Sequence, residues 1–159
     1  MKLSVTSEFN ASPETVWAAF ESEAFEARLE QESGMVKTLL ETRTEGGVRY
    51  QRIRVERRKP LPGFVAKVLG SKTLGFVQTE RFDSATSCSN WSVEVPALGD
   101  RVSVSGSTSI TATPTGSRRV LQGEVSVRVR LVGGAIEKAV VGDFQKTAAR
   151  AVEIARTFL

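Results

Sequence analysis

The sequence predicts an α+β fold in which a strongly curved antiparallel sheet of about seven strands wraps around a long C-terminal helix. The order of segments is the first reason: one strand, two short helices, a series of further strands and one long final helix. The late strands alternate apolar and polar residues, which is typical of antiparallel strands with one face in water. The final helix has an apolar face that matches the apolar face of such a sheet.

The chain begins with a predicted strand and two short helices. Apolar and polar residues alternate over residues 2–10, which indicates a half-buried strand. Ser12 is the expected N-cap of the first helix, with Pro13 at its first helical position. A second helix is predicted from Glu23 to about Gln31 and ends at Gly34. These two helices are expected to close one end of the sheet.

The middle of the chain predicts about six strands separated by turn residues. Glu45-Gly46-Gly47 is a turn signal between the first two of them. Segment 63–70 is either a short helix or an irregular edge segment. In the last strand, Leu121, Val125 and Leu131 are expected to point inward. The strands are expected over residues 35–44, 48–58, 73–82, 88–95, 101–113 and 118–131.

Strand 48–58 lacks a single hydrophobic phase. Val48 and Tyr50 have one parity and Ile53 has the other, which predicts a β-bulge near Gln51-Arg52. Such a bulge would turn Tyr50, Arg52 or Arg54 toward the interior. An inward arginine there would suit an anionic ligand such as a fatty acid or a phospholipid headgroup.

The longest helical pattern follows Gly133-Gly134 and extends to Leu159. Its apolar face carries the small residues Ala148, Ala151 and Ala155. Two interpretations stay open: the helix backbone approaches the sheet closely, or space is left between them. No repeat, low-complexity segment or linker divides the chain, so residues 1–159 are expected to form a single domain.

The composition excludes several kinds of catalytic and metal site. Among 159 residues there is no histidine and only one cysteine, Cys88. This excludes Ser-His and Cys-His catalysis, histidine metal ligation, thiolate zinc clusters and an intrachain disulfide. Glycine-rich nucleotide-binding motifs and acidic metal-binding loops are not found either. We therefore expect neither a cofactor nor a metal ion.

The charge of the chain is unevenly distributed, with a net value of +4. Six cations and one anion lie between Arg49 and Lys59. This run is interpreted either as a solvated strand face or as a surface for transient contact with an anionic membrane. Nucleic acid is not an expected partner, because apart from Tyr50 no aromatic residues interleave with these cations. The chain starts without an apolar signal-peptide run and has no membrane span, so a cytoplasmic location is expected.

Polar residues on apolar faces are the best candidates for ligand contacts, because a buried polar group needs a partner. In strand 73–82 the even positions include Phe76, Gln78 and Glu80. If this face points inward, Gln78 and Glu80 orient a hydroxyl or carbonyl group of a ligand. Alternatively, the phase is reversed, or Glu80 pairs with a neighbouring arginine.

Glu137 is a further candidate, because it falls on the apolar face of the last helix. It also lies in the first helical turn, where the helix dipole stabilises a carboxylate, so it is either a first-turn charge or a buried acid. Trp91 and Phe144 are either plain core residues or part of a cavity wall. No residue is assigned a catalytic role. The predicted ligand-binding residues are Tyr50, Phe76, Gln78, Glu80, Trp91, Glu137, Phe144 and Ala148.

Two segments carry a resemblance to a known superfamily. The run FNASPETVWAAFESEAFEARLE, the antiparallel strands and the terminal VGGAIEKAVVGDFQKTAARAVEIARTFL resemble the START-like (SRPBCC) helix-grip superfamily, and most closely its bacterial domain of unknown function 2505. The resemblance covers nearly the whole chain through loose patterns and implies the helix-grip fold. It also implies a deep hydrophobic cavity, which in the superfamily holds lipids, sterols or polyketides, and a minority of members are cyclases or aromatases.

The expected function is binding, transport or sensing of a hydrophobic small molecule between the sheet and the C-terminal helix. The ligand classes are a lipid, a fatty acid, a sterol-like molecule or a polyketide. An alternative is an enzyme of the polyketide cyclase or aromatase type, with Glu80, Tyr50 or Glu137 as its acid or base. The third hypothesis is an interaction module with a filled core, whose basic strand contacts a protein or a membrane.

Overall fold

A single antiparallel sheet of seven strands forms one layer of the molecule. The computed structural model describes all residues from Met1 to Leu159. The strands are β1 (Lys2–Phe9), β2 (Met35–Glu45), β3 (Val48–Arg57), β4 (Gly75–Asp83), β5 (Cys88–Glu94), β6 (Val102–Thr113) and β7 (Gly116–Val127). Their order in the sheet is β1-β7-β6-β5-β4-β3-β2, so β1 and β2 are the two edges. The predicted α+β architecture is confirmed.

Four α-helices complete the fold, and two of them begin at serine caps. They are α1 (Pro13–Glu21), α2 (Glu23–Ser33), α3 (Gly63–Leu69) and α4 (Gly133–Arg156). Ser12 Oγ accepts a hydrogen bond from the Thr15 amide, and Ser22 Oγ caps α2 in the same way. Gly34 ends α2 with a φ of 69°, a left-handed conformation that favours glycine. The predicted start of the first helix and the end of the second are therefore confirmed. No helix combines the length and the apolar character needed to span a membrane.

The core lies where α4 packs against β1 and β7 at one edge of the sheet. Leu3, Val125 and Ile136 belong to the largest buried cluster at this contact. A second cluster joins α2 to the end of α4 and includes Phe25 and Ala155, with Ala155 fully buried. The small residues of α4 therefore allow close approach of α2. They do not by themselves separate the helix from the sheet.

Strand β3 is joined to α4 by a charged pair as well. Arg57 Nη1 and Nη2 donate to the two carboxylate oxygens of Asp143 over 2.6 and 2.9 Å. A planar guanidinium matches a carboxylate in this two-point geometry. The far half of the sheet and the middle of α4 are thus connected by a polar link.

The irregular pattern of strand 48–58 has a different cause from the one predicted. The register shifts in β2 between Leu39 and Glu41, so the bulge lies in the partner strand. Strand β3 itself alternates regularly and pairs with β4 from Val48 to Glu56. The prediction of a bulge near Gln51-Arg52 is wrong. The hydrophobic pattern of β3 is mixed because Val48 and Tyr50 are apolar residues that lie on the outer face of the sheet.

The last strand ends earlier than predicted, and Leu131 does not point inward. The strand stops at Val127, and Leu131 is 95% exposed in a turn where its φ is 72°. The backbone of Gly133 lies close to the backbone of Val127, since a Cβ atom at Gly133 would be 2.3 Å from the Val127 carbonyl oxygen. The tight turn that starts α4 replaces the end of the predicted strand.

Candidate ligand-binding cavity

A cavity of about 360 Å³ lies between the inner face of the sheet and helices α1, α2 and α4. Ten of its 19 lining residues are hydrophobic. The cavity lies beside the contact of α4 with β1 and β7, and its wall extends to residues of β3, β4 and β5.

The apolar part of the wall is built around Trp91. Its indole stacks on Phe144 of α4, with ring centroids 5.6 Å apart and an interplanar angle of 18°. Its Nε1 donates to Thr108 Oγ1 over 3.3 Å. Beneath the indole lie Gly106 and Gly123, which face each other across β6 and β7. A Cβ atom at Gly106 would lie 2.5 Å from the indole, so the absence of a side chain there lets the ring lie close to the sheet.

The polar part of the wall comes from the middle of β3 and β4. Gln78 and Glu80 line the cavity, so the even positions of β4 point inward. Gln51 pairs with Glu80 in the register and lines the same surface. The carboxylate of Glu80 accepts a hydrogen bond from Ser89 Oγ. These side chains place amide and carboxylate groups beside the apolar wall.

Two ion pairs cross the side of the cavity that reaches solvent. Lys37 of β2 binds Glu26 of α2 over 2.9 Å, and Arg49 of β3 binds Glu21 of α1. The Lys37 and Glu26 side chains are 36% and 41% exposed, which places this pair at the mouth. The hydrogen bond to Glu21 raises the pKa of Arg49, and the charge of Glu80 adds to this effect. Both helices are tied to the open edge of the sheet by charges.

Arg119 of β7 is a cavity residue that the sequence analysis did not select. Its guanidinium carbon lies 4.5 Å from the centroid of the Phe20 ring. Its Nη1 is buried without a hydrogen-bond partner. Burial lowers the pKa of Arg119 to about 10. The signal for its position was available, because Arg119 has the same parity as the inward residues Leu121 and Val125.

Two predicted site residues lie outside the cavity. Tyr50 is on the outer face, where its hydroxyl accepts a hydrogen bond from Arg81 Nε over 3.2 Å and raises the pKa of that arginine. This corrects the expectation that Tyr50 reaches the interior, which rested on the bulge in β3. Glu137 accepts from the Val127 amide over 2.8 Å and lies 3.7 Å from the N-terminal ammonium group of Met1. Glu137 therefore joins the start of α4 to the end of β7.

The other predicted residues divide between the wall and its surroundings. Trp91 and Phe144 line the cavity together with Gln78 and Glu80. Phe76 pairs with Val55 in the register of the inner face, but it is not among the lining residues. Ala148 is buried one turn away, and Ala151 takes the lining position on α4.

The basic run between Arg49 and Lys59 is split between the two faces of β3. Arg49 and Arg57 have inward parity and each binds a carboxylate. Arg52 and Arg54 are exposed on the other face. The run is therefore not one continuous charged surface.

The cavity wall brings together apolar, polar and charged side chains. No group of three or more Cys, Asp or Glu residues is placed to hold a metal ion, and Cys88 is a free thiol. The cavity instead combines aromatic rings and two amides with the Glu80 carboxylate and the unpartnered Arg119 guanidinium. Such a wall is suited to an apolar molecule with a few polar groups.

Comparisons with known proteins agree with this architecture. A family model described as a protein of unknown function (DUF2505) matches residues 4–159. The protein TTHA0849 of Thermus thermophilus has a similar structure, with a TM-score of 0.70 and 15% identity over 99% of this chain and 96% of that chain. A START superfamily protein of Mycobacterium smegmatis has a TM-score of 0.61 and 18% identity over 96% and 94% of the two chains.

A third similar structure is a larger protein. The di-domain ARO/CYC BexL of the BE-7585A biosynthetic pathway has a TM-score of 0.62 and 14% identity, over 96% of this chain and 46% of that chain. At such low identities the likeness shows the fold alone. No curated protein matches the sequence.

Proposed function

Since the chain belongs to the DUF2505 family and has the fold of START-like helix-grip proteins, we propose that it binds a hydrophobic small molecule in the cavity, as a carrier or sensor. The observation that carries the proposal is the cavity itself. Its volume of about 360 Å³ and its ten hydrophobic lining residues suit an apolar ligand. Small-molecule sites have volumes of about 300–1,000 Å³. The ligand is therefore a small member of the lipid, fatty acid, sterol-like or polyketide classes.

Apolar burial supplies the driving force in this proposal. Each Å² of apolar surface removed from water contributes roughly 25 cal/mol. The aromatic wall of Trp91 and Phe144 receives the apolar body of the ligand. Gln51, Gln78 and Glu80 are the polar groups that orient a hydroxyl or carbonyl group.

Filling the cavity tests the proposal directly. Ala151 lines the cavity on α4, so Ala151→Leu places a larger side chain in the space for the ligand. We expect the wild-type protein to bind the uncharged fluorescent probe N-phenyl-1-naphthylamine saturably, and the variant to bind it about tenfold or more weakly. Fluorescence titration measures both affinities, and urea unfolding checks that the variant is folded.

Ala149→Leu is the matched control, because Ala149 is exposed on the same helix. It should bind the probe as the wild type does. The proposal is contradicted if the wild type shows no saturable binding, or if Ala151→Leu binds the probe with unchanged affinity.

A cyclase-type enzyme is the second candidate function, and one observation favours it. Of the three acids or bases considered, Glu80 alone lies in the cavity wall. In this hypothesis Glu80 removes a proton from a carbon between two carbonyl groups of a poly-β-ketone substrate. The resulting enolate carbon forms the ring bond with a second carbonyl carbon of the same molecule, and the π bond of that carbonyl breaks. The alkoxide oxygen formed then takes the proton back from Glu80. Glu80→Gln should then abolish turnover and retain probe binding. Absence of turnover with any poly-β-ketone substrate in the wild type would favour the carrier.

The proposal also includes a cellular setting. The free thiol of Cys88 supports a cytoplasmic location, where thiols stay reduced. Transient contact with an anionic membrane is proposed for Arg52 and Arg54 on the outer face of β3 and for Arg58 just after the strand, since all three are exposed. Binding to phosphatidylserine vesicles should weaken with salt and be lost when these three arginines are changed to serine. Binding that is insensitive to salt would contradict this part.

A further inference from the structure

We infer that the ligand of this cavity is an amphipathic anion, and that Arg119 binds its carboxylate or phosphate group inside the cavity. The inference rests on the proposed function, because it assigns the chemical class of a ligand at the same site. It differs from the expectation based on the sequence, which placed an inward arginine at Arg52 or Arg54. Both of those residues are exposed.

The first observation is that Arg119 has no partner for its charge. Its Nη1 is buried and makes no hydrogen bond. With a pKa of about 10, the guanidinium is still protonated at neutral pH. Arg119 as a whole is half-buried, and a charge that is partly removed from water without a partner is costly.

The second observation comes from comparing the inward-facing arginines of the sheet. Arg57 binds both oxygens of Asp143, and Arg49 binds Glu21. Arg119 contacts the face of Phe20 instead, and burial is the sole cause of its lowered pKa. Arg119 takes part in none of the ion pairs of the structure. Arg119 therefore differs from Arg49 and Arg57 in having no carboxylate partner within the chain.

The third observation is the charge balance of the cavity wall. Its carboxylates are Glu21, Glu26 and Glu80. Glu21 and Glu26 are held in ion pairs by Arg49 and Lys37, as described for the mouth. Every acid at the mouth thus has a cationic partner.

Glu80, the remaining acid, is engaged elsewhere in the wall. It accepts a hydrogen bond from Ser89, and its charge raises the pKa of Arg49. It does not contribute to the pKa of Arg119. The wall carries as many cations as carboxylates, but none of these carboxylates forms an ion pair with Arg119, and an anionic group of a ligand compensates its charge locally.

The geometry of a guanidinium explains the preferred ligand group. Its planar donors match the oxygens of a carboxylate or phosphate, and the pair is strengthened in a site with little water. An apolar tail on the same molecule would occupy the wall around Trp91 and Phe144. A neutral analogue with the same tail leaves Arg119 without a partner.

The experiment compares ligands that differ only in the headgroup. Decanoic acid, decyl phosphate and decanol are titrated against wild-type protein loaded with N-phenyl-1-naphthylamine. We expect at least one of the two anions to displace the probe about tenfold more effectively than decanol, which corresponds to ~1.4 kcal/mol. The stronger of the two identifies the headgroup as a carboxylate or a phosphate. In Arg119→Met this preference should disappear, while the affinity for decanol stays the same.

Arg118→Met is the matched control. Arg118 is the neighbouring residue of β7, is exposed and binds Glu8 on the surface. This variant should keep the wild-type preference for the anion. If it loses the preference as Arg119→Met does, the effect comes from the overall charge, and the inference is overturned.

Thermal unfolding of the ligand-free protein separates a binding role from a structural one. Methionine is apolar and similar in length, so Arg119→Met should leave the midpoint unchanged or raise it. A lower midpoint with an unchanged preference for the anion would show that Arg119 serves to pack on Phe20, and would overturn the inference.

The wild type alone gives a result that does not depend on any variant. Equal displacement by decanol and both anions would overturn the anion inference and leave the proposed function standing. Failure of the probe to bind would instead remove the proposed function.

Discussion

Replacement of Trp91 by alanine is expected to lower the free energy of unfolding by about 3–5 kcal/mol, the range for truncation of a large buried aromatic side chain. Trp91 is 7% exposed and belongs to the main core cluster. It connects the sheet to α4 through its stack on Phe144 and donates a hydrogen bond to Thr108. Its removal leaves a void that joins the existing cavity.

Urea unfolding followed by circular dichroism measures this loss. The slope of the unfolding free energy against urea concentration should stay close to that of the wild type, since the same surface is exposed on unfolding. Phe64→Ala is the control, because Phe64 is a large aromatic residue that is 45% exposed. Equal losses for the two variants would show that Trp91 is not a central packing residue.

Gly106→Ala is expected to cost about 3 kcal/mol, at the upper end of the usual penalty for overpacking a core. A Cβ atom at position 106 would lie 2.2 Å from the Gln122 carbonyl oxygen and 2.5 Å from the Trp91 ring. The carbonyl belongs to the neighbouring strand and the ring is stacked against α4, so neither moves easily. Thermal or urea unfolding gives the change in stability.

Gly142→Ala is the matched control for Gly106. Gly142 lies within α4, and a Cβ atom there would meet no atom within 4 Å. Alanine should therefore stabilise the helix by about 0.5–1 kcal/mol. A similar effect of the two substitutions would mean that the contact between Trp91 and the glycine pair does not matter for stability.

The elements could be predicted from the sequence because each has a local signal. The cap at Ser12, the left-handed Gly34 and the alternation of β6 and β7 depend on neighbouring residues alone. The position of the bulge could not be predicted from strand 48–58, because a bulge is a relation between two strands and this one lies in β2. Tyr50 was assigned to the interior for that reason.

Only part of the site could be predicted from the sequence, and the reason is related. Parity alone places Gln78, Glu80 and Trp91 on the inner face. It also places Arg119 there, but a charged residue beside a second arginine near a turn resembles a solvated surface. Whether a space exists depends on the distance between α4 and the far strands, and contacts such as Arg57–Asp143 join residues 86 positions apart. Such distant contacts leave no periodic signal.

The link between Arg57 and Asp143 has a consequence for how easily β3 and α4 separate. Two surfaces packed against each other can separate only by exposing apolar area to water. The connection beside the cavity is instead made by two side chains that meet at their tips, one from β3 and one from α4. The pair is partly exposed, so water can replace its hydrogen bonds when these elements move apart. We therefore expect β3 and α4 to separate at this side at a lower free-energy cost than α4 and the apolar surface of β1 and β7.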